Sequence, residues 1–162
     1  MSLHSTSAST ALRKIAVPAP RPMEPEAVFG SRRFYDALNE GRFQTTACEE
    51  CGRLEFPPVT VCPSCGSRSF RWPDLTPRGI LFCATRVHAA PARFDSIAPY
   101  RLGVIDQVNG LRLLCLLLHP PGREPRIGEP IELVAAIWEN GPMLAGTTPD
   151  DQRSTVVASM SV

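Results

Sequence analysis

Lysine is nearly missing from this chain: of its seventeen basic residues only Lys14 is one, and the rest are arginine. An excess of either charge is missing too, since sixteen acids leave a formal net charge of +1. From Asp74 to Gly146, seven acids stand against seven arginines. Nucleic-acid binders carry a basic footprint, so this balance argues against that class. Long apolar runs are also lacking. The run Leu113–Leu118 falls far short of the roughly 20 residues that cross a bilayer. The N-terminus holds neither a contiguous apolar segment nor a cleavage pattern, so a cytoplasmic protein is expected. No phosphate loop, dinucleotide fingerprint or nucleophile elbow occurs. Helical bundles are disfavoured by the seventeen prolines in 162 residues, which break helix interiors and are confined to sheet edges. Short strands joined by ordered loops are the expected alternative, and an apolar fraction of 43% is enough for a folded core.

What the chain does have is a cysteine quartet. Cys48-Glu-Glu-Cys51 and Cys62-Pro-Ser-Cys65 form two C-x-x-C pairs ten residues apart, each followed directly by glycine, Gly52 and Gly66. Each pair can form a tight turn that aims both sulfurs at one point, and two such turns can wrap one zinc ion tetrahedrally. Glycine after the second cysteine suits a turn that a side chain would hinder. Two disulfides, or a redox-active pair of the thioredoxin kind, are the alternatives. Doubled spacing in a chain without a secretory signal favours metal, with one zinc per chain expected. A lone iron on four thiolates is its competitor. A metal with four cysteine ligands has no open position for water or substrate, so this site is expected to be structural.

Read in order, the chain divides into five parts. Residues 1–27 read as a flexible Pro-rich leader, with Val17 to Glu26 as its proline-alternating part. Residues 28–42 hold a short helix, N-capped by Ser31 and ended by Gly41, with Phe34 and Leu38 on one face. That stripe is expected to bury against its own domain or to dock on another protein. Residues 43–73 form the zinc ribbon, a mainly β module too small for a core of its own, for which the metal supplies folding energy. Its aromatic residues Phe43, Phe56, Phe70 and Trp72 are expected to pack around the knuckles.

Residues 74–147 read as a five-stranded OB-fold barrel. Its candidate strands are Gly79–His88, Tyr100–Val108, Leu111–Leu118, Pro130–Glu139 and Met143–Thr147, with hairpin signals at Asn109-Gly110 and Asn140-Gly141. The connection Ala89–Pro99 is long for a compact domain and carries Phe94 and Ile97, expected on its surface. Residues 148–162 read as a flexible tail.

No catalytic constellation is legible. Cys83 and Cys115 lie in apolar strands, where cysteine acts as a small buried hydrophobe. His88 and His119 end strands beside prolines, with no carboxylate or nucleophile evident near them in sequence.

The order of these parts, the run C-E-E-C-G-R-L-E-F-P-P-V-T-V-C-P-S-C-G-S-R-S-F-R-W and the pair P-Y-R-L-G-V-I-D-Q-V-N-G-L-R-L-L resemble the zinc-ribbon OB-fold family called DUF35, or acyl-CoA-associated. The resemblance covers roughly residues 28–146. It implies an auxiliary protein of coenzyme A thioester metabolism. Family members associate with thiolase-like enzymes, including aldolases and acyltransferases of that fold, or with MaoC-type hydratases. It also implies that Cys48, Cys51, Cys62 and Cys65 are zinc ligands, that the leading helix is a docking element, and that a contact with acyl-CoA is possible. Binding of single-stranded nucleic acid by an OB barrel, and an acyl-CoA enzyme using His88 or His119, stand as the other readings.

Overall fold

A computed structural model of the chain describes residues 11–22, 31–120 and 122–152. Parts of the expected leader, helix segment and tail lie outside the described residues. Ten elements follow one another within them. These are β1 (Arg13–Ala16), α1 (Ser31–Asn39), β2 (Thr46–Cys48), β3 (Leu54–Glu55), β4 (Phe70–Arg71), β5 (Arg78–Val87), β6 (Tyr100–Gln107), β7 (Arg112–Leu117), β8 (Pro130–Trp138) and β9 (Gly141–Thr147). A 3-10 turn, Ala92–Ile97, interrupts the connection between β5 and β6. No helix among the described residues is long and apolar enough to cross a membrane.

Strands β5 to β9 close into a barrel. β5 pairs with β6, β6 with β7, β7 in parallel with β9, β9 with β8, and β8 back with β5. Each of the five barrel strands expected from the sequence lies within two residues of its place. The turn between β6 and β7 differs in detail. Gly110 N–H donates to Gln107 O at 2.9 Å and Gln107 N–H to Leu111 O at 2.8 Å, which makes a three-residue loop rather than the two-residue turn. Between β8 and β9 the loop is Glu139-Asn140, because Trp138 pairs with Gly141.

Alternation along the strands turns Leu81, Ile105, Leu113, Leu117, Ile131 and Leu133 into one apolar cluster inside the barrel. Gly103 is needed there: a Cβ at this position would lie 2.8 Å from the Leu117 side chain. α1 lies against β9 and β8 and adds Phe34 and Leu38 to the same cluster, while Phe43, Phe56 and Trp72 join it from the ribbon. Helix, ribbon and barrel therefore share one core. The apolar stripe of α1 is consumed inside the chain, and its outward residues include Arg32, Arg33, Asp36 and Asn39.

The clearest departure from the sequence reading is at 13–16, within the expected flexible leader. β1 runs parallel to β8, with Ile15 opposite Ala136. β5 pairs with β8 only from Arg78 to Ile80, and β1 takes up the edge of β8 from Val134 to Ile137, beyond those pairs. Ile15 is fully buried, and Arg13 reaches Glu132 at 2.9 Å. The reason is alternation: Ile15 and Val17 point into apolar surface on the barrel's outer wall, while Leu12 joins the shared core, a pattern that the nearby prolines disguise. Further on, Arg21 is buried, donates from Nη1 to Pro142 O at 2.9 Å and lies over the Tyr35 ring.

A second cluster covers part of the barrel's outer wall. Ile15 and Val17 meet Leu116, Leu118, Val134 and Trp138 there, and the 3-10 turn adds Ile97 and Phe94. The expectation of surface positions for Phe94 and Ile97 is thereby corrected. Phe94 stacks on Tyr100 with centroids 5.3 Å apart, and Ile97 is buried. The first residues of the expected tail are held as well: Thr148 and Asp151 are buried, and Thr147 Oγ1 donates to Asp151 Oδ2 at 2.9 Å.

Candidate metal centre

β2 is the middle strand of a three-stranded sheet, with β3 on one side and β4 on the other. The two cysteine turns repeat one geometry. Gly52 N–H donates to Cys48 O and Gly66 N–H to Cys62 O, both at 2.9 Å. Cys48 N–H donates to Arg53 O at 2.9 Å and Cys62 N–H to Ser67 O at 2.8 Å. Gly52 and Gly66 sit at φ 73° and 75°, the left-handed region that glycine enters without steric cost.

These turns bring all four predicted ligands together. The sulfurs of Cys48, Cys51, Cys62 and Cys65 lie within 4.8 Å of one another. The contacts at 3.5 Å (Cys48–Cys65) and 3.6 Å (Cys51–Cys62) cross from one turn to the other. Such separations are not disulfide bonds, and all six cysteines of the chain are free. A tetrahedron of sulfurs at the usual zinc distance of about 2.3 Å has edges of about 3.8 Å, so the quartet fits such an ion closely. The first cysteine of each turn is buried and the second exposed.

The electrostatics also favour a cation. The Cys51 N–H, with the Glu50 N–H and the neighbouring sulfurs, draws the Cys48 thiol down to about 6 against the pull of burial. At Cys65 the Ser67 N–H acts in the same sense, but Cys48, burial and the other sulfurs outweigh it and push the thiol up to about 12. Cys51 is also raised, the Arg53 N–H being overcome by burial and by the sulfurs of Cys48 and Cys62. Four thiolates cannot crowd together alone. A doubly charged metal removes that conflict and takes all four.

The remaining cysteines and histidines divide differently from the sequence reading. Cys115 is buried, and burial pushes its thiol up to about 12. Cys83 is exposed, against expectation. A bulge between Leu81 and Cys83 inserts Phe82 as an extra residue, so the alternation slips and Cys83 turns outward opposite Val104. His88 is exposed. His119 is buried and does have a carboxylate. Its Nε2 lies 3.2 Å from Glu129 Oε1, and Arg123 holds the other Glu129 oxygen at 2.8 Å. No local sequence signal marks this triad, because Glu129 meets His119 across ten residues of chain.

Comparison with known proteins supports this architecture. Residues 36–71 match the family description "ChsH2, rubredoxin-like zinc ribbon domain", and residues 72–136 match "ChsH2, C-terminal OB-fold domain". The chain is 30% identical over 88 residues to a DUF35 domain-containing scaffold protein of Methanocaldococcus jannaschii, covering 54% of this chain and 62% of that one. It thus spans about three fifths of that relative's length. It is 30% identical over 102 residues to the benzoylsuccinyl-CoA thiolase subunit BbsA of Thauera aromatica, covering 61% of this chain and 69% of the subunit. Among solved structures, a chain of the Ltp2-ChsH2(DUF35) aldolase superposes with a TM-score of 0.66 at 21% identity, over 77% of this chain and 98% of that one.

Proposed function

This chain belongs to the zinc-ribbon OB-fold family named DUF35, and from that premise we propose that it is a non-catalytic accessory subunit of a thiolase-like enzyme acting on acyl-CoA thioesters. The observation that carries this reading is the closed four-sulfur centre. Its ligands are all supplied by the protein, and the ribbon around it shares its core with the barrel. A zinc ion there would hold Cys48, Cys51, Cys62 and Cys65 as thiolates and brace the fold; it would leave no position for substrate. Function then resides on surfaces. The thiolase subunit and the scaffold protein among the relatives supply the class of partner.

In this reading the subunit seats on a thiolase, aldolase or acyltransferase of thiolase fold, helps order its thioester entrance and touches acyl-CoA there. A MaoC-type hydratase is the other partner class. The arginines on and around the barrel speak for a protein partner over a nucleic acid. Arg13, Arg101, Arg112 and Arg123 are each paired with a carboxylate, on Glu132, Glu124, Asp106 and Glu129, which neutralises charge that a phosphate backbone would need.

Co-expression of the full chain with the thiolase-fold and MaoC-type proteins of its own genome tests the proposal. A stable complex with one of them, with faster thioester turnover than the partner shows alone, is the expected result. A chain that recovers no such protein and changes no turnover overturns it.

A further inference from the structure

The surfaces that the sequence offered for docking are already covered. Phe34 and Leu38 of α1 are buried in the shared core, and Ile97 is packed on the barrel. The outer wall of β5, β6 and β7 is different. Register places Ile80, Asp106 and Arg112 side by side there, with Cys83, Val104 and Leu114 in the next row. Elsewhere the outer wall is covered, by β1 along β8 and by the 3-10 turn at Tyr100, where β6 begins. Here Ile80, Phe82 and Leu114 are 43%, 48% and 59% exposed.

Phe82 is held in position on this wall. The bulge places it outward, and the Arg112 guanidinium lies 3.9 Å from its ring centroid. Arg112 is itself fixed, Nη2 donating to Asp106 Oδ2 at 2.8 Å. An apolar centre with an internally neutralised charged rim is the anatomy of an interface hot spot. Through Arg112 the wall continues into a cleft of about 540 Å³ between ribbon and barrel, lined also by Leu54, Phe56 and Leu111. Glu55 borders this cleft. Its Oε1 is buried and lies 2.7 Å from Arg53 Nε, so its charge is neutralised within the ribbon.

We propose that this wall and the adjoining cleft are the face that seats the thiolase-fold subunit, with Phe82 and Leu114 as its apolar anchors. The proposal rests on the reading of the chain as an accessory subunit. Size argues against a second copy as occupant. The three apolar side chains expose about 300 Å² between them, whereas a stable homodimer buries about 800 Å² per partner, largely apolar. A patch of this size suits the centre of a wider, mixed interface with an unlike protein.

The test uses the full metal-loaded chain and the thiolase-fold subunits of its own genome. Phe82→Glu and Leu114→Glu alter exposed side chains, and Arg32→Glu on the outward face of α1 is the control. Wild type and Arg32→Glu should bind the same subunit with equal affinity. Phe82→Glu and Leu114→Glu should weaken binding at least about tenfold, with metal content and melting temperature unchanged. Without any folding risk, labelling of the exposed Cys83 thiol of the wild type by maleimide should slow at least about tenfold when the subunit is bound.

Unchanged affinity of both variants together with undiminished labelling places the partner elsewhere and overturns this inference, while leaving the accessory role standing. Self-association of the wild type that Phe82→Glu abolishes assigns the wall to a second copy and overturns it too. A wild type that binds no thiolase-fold subunit removes the accessory reading, and this inference with it.

Discussion

His119 carries a buried imidazole whose protonation the fold resists. Burial holds its pKa below the ordinary value, and Arg123 and Arg101 act in the same sense, while Glu129 works against them. The unfolded chain therefore takes up the proton first as pH falls, so stability rises with pH across this window. Wild type should lose stability as pH drops below about 6.5, where an unperturbed histidine titrates. His119→Gln keeps an N–H for Glu129 but removes the titration, and its unfolding midpoint should stay level from pH 7.5 down to the carboxylate range. Urea midpoints of both proteins across this range check it; parallel curves would sink the assignment. Glu129 is itself held low, since the Arg126 N–H, His119 and Arg123 outweigh its burial. Its contribution has the same sign but is lost only below about 4.5. Cys115 acts at the other end. With its thiol pushed up to about 12, stability should begin to fall above about 9 as the unfolded thiol ionises, and Cys115→Ala should remove that alkaline limb.

Among the elements, β1 is the one whose energetic weight is least evident from its composition. Ile15 is fully buried against β8, and truncating such a side chain leaves a cavity. Ile15→Ala should cost about 2–4 kcal/mol in denaturant unfolding. Lys14→Ala, on the exposed side of the same strand, should change stability by less than about 0.5 kcal/mol. Equal costs at the two positions would mean that the strand does not pack as described. Helix α1 shows the same division between two faces. Phe34 and Leu38 are buried, whereas Arg33 reaches over the Trp72 ring at 4.8 Å and ties the helix to the end of the ribbon.

At the scale of the molecule, ribbon, helix and barrel share one core and should unfold as one unit. Metal that binds only the folded quartet stabilises everything coupled to it. Structural zinc supplies on the order of 10 kcal/mol, so a strong chelator should lower the melting temperature of the whole protein by about 20 °C or more. Near-ultraviolet signals of Trp72 in the ribbon and Trp138 in the barrel should fall together in calorimetry-matched melts. Separate transitions, with Trp138 indifferent to chelation, would show that ribbon and barrel are independent. Metal analysis of the intact protein should find about one zinc per chain, and Cys62→Ser should abolish it.

The sequence by itself determined whatever rests on local spacing. Two C-x-x-C turns with glycines behind them place four sulfurs together whatever surrounds them, because each turn is closed by hydrogen bonds among its own neighbouring residues. Period-two alternation bounded by turn residues likewise located all five barrel strands. Tertiary structure decided what depends on residues far apart in the chain. β1 joins β8 across more than a hundred residues, so proline content nearby hid a strand whose partner is distant. Phe94 and Ile97 found cover because the wall beneath them is apolar. A single inserted residue, Phe82, turned Cys83 from the core to the surface, since strand side chains alternate and one extra position reverses every face beyond it until the register is reset.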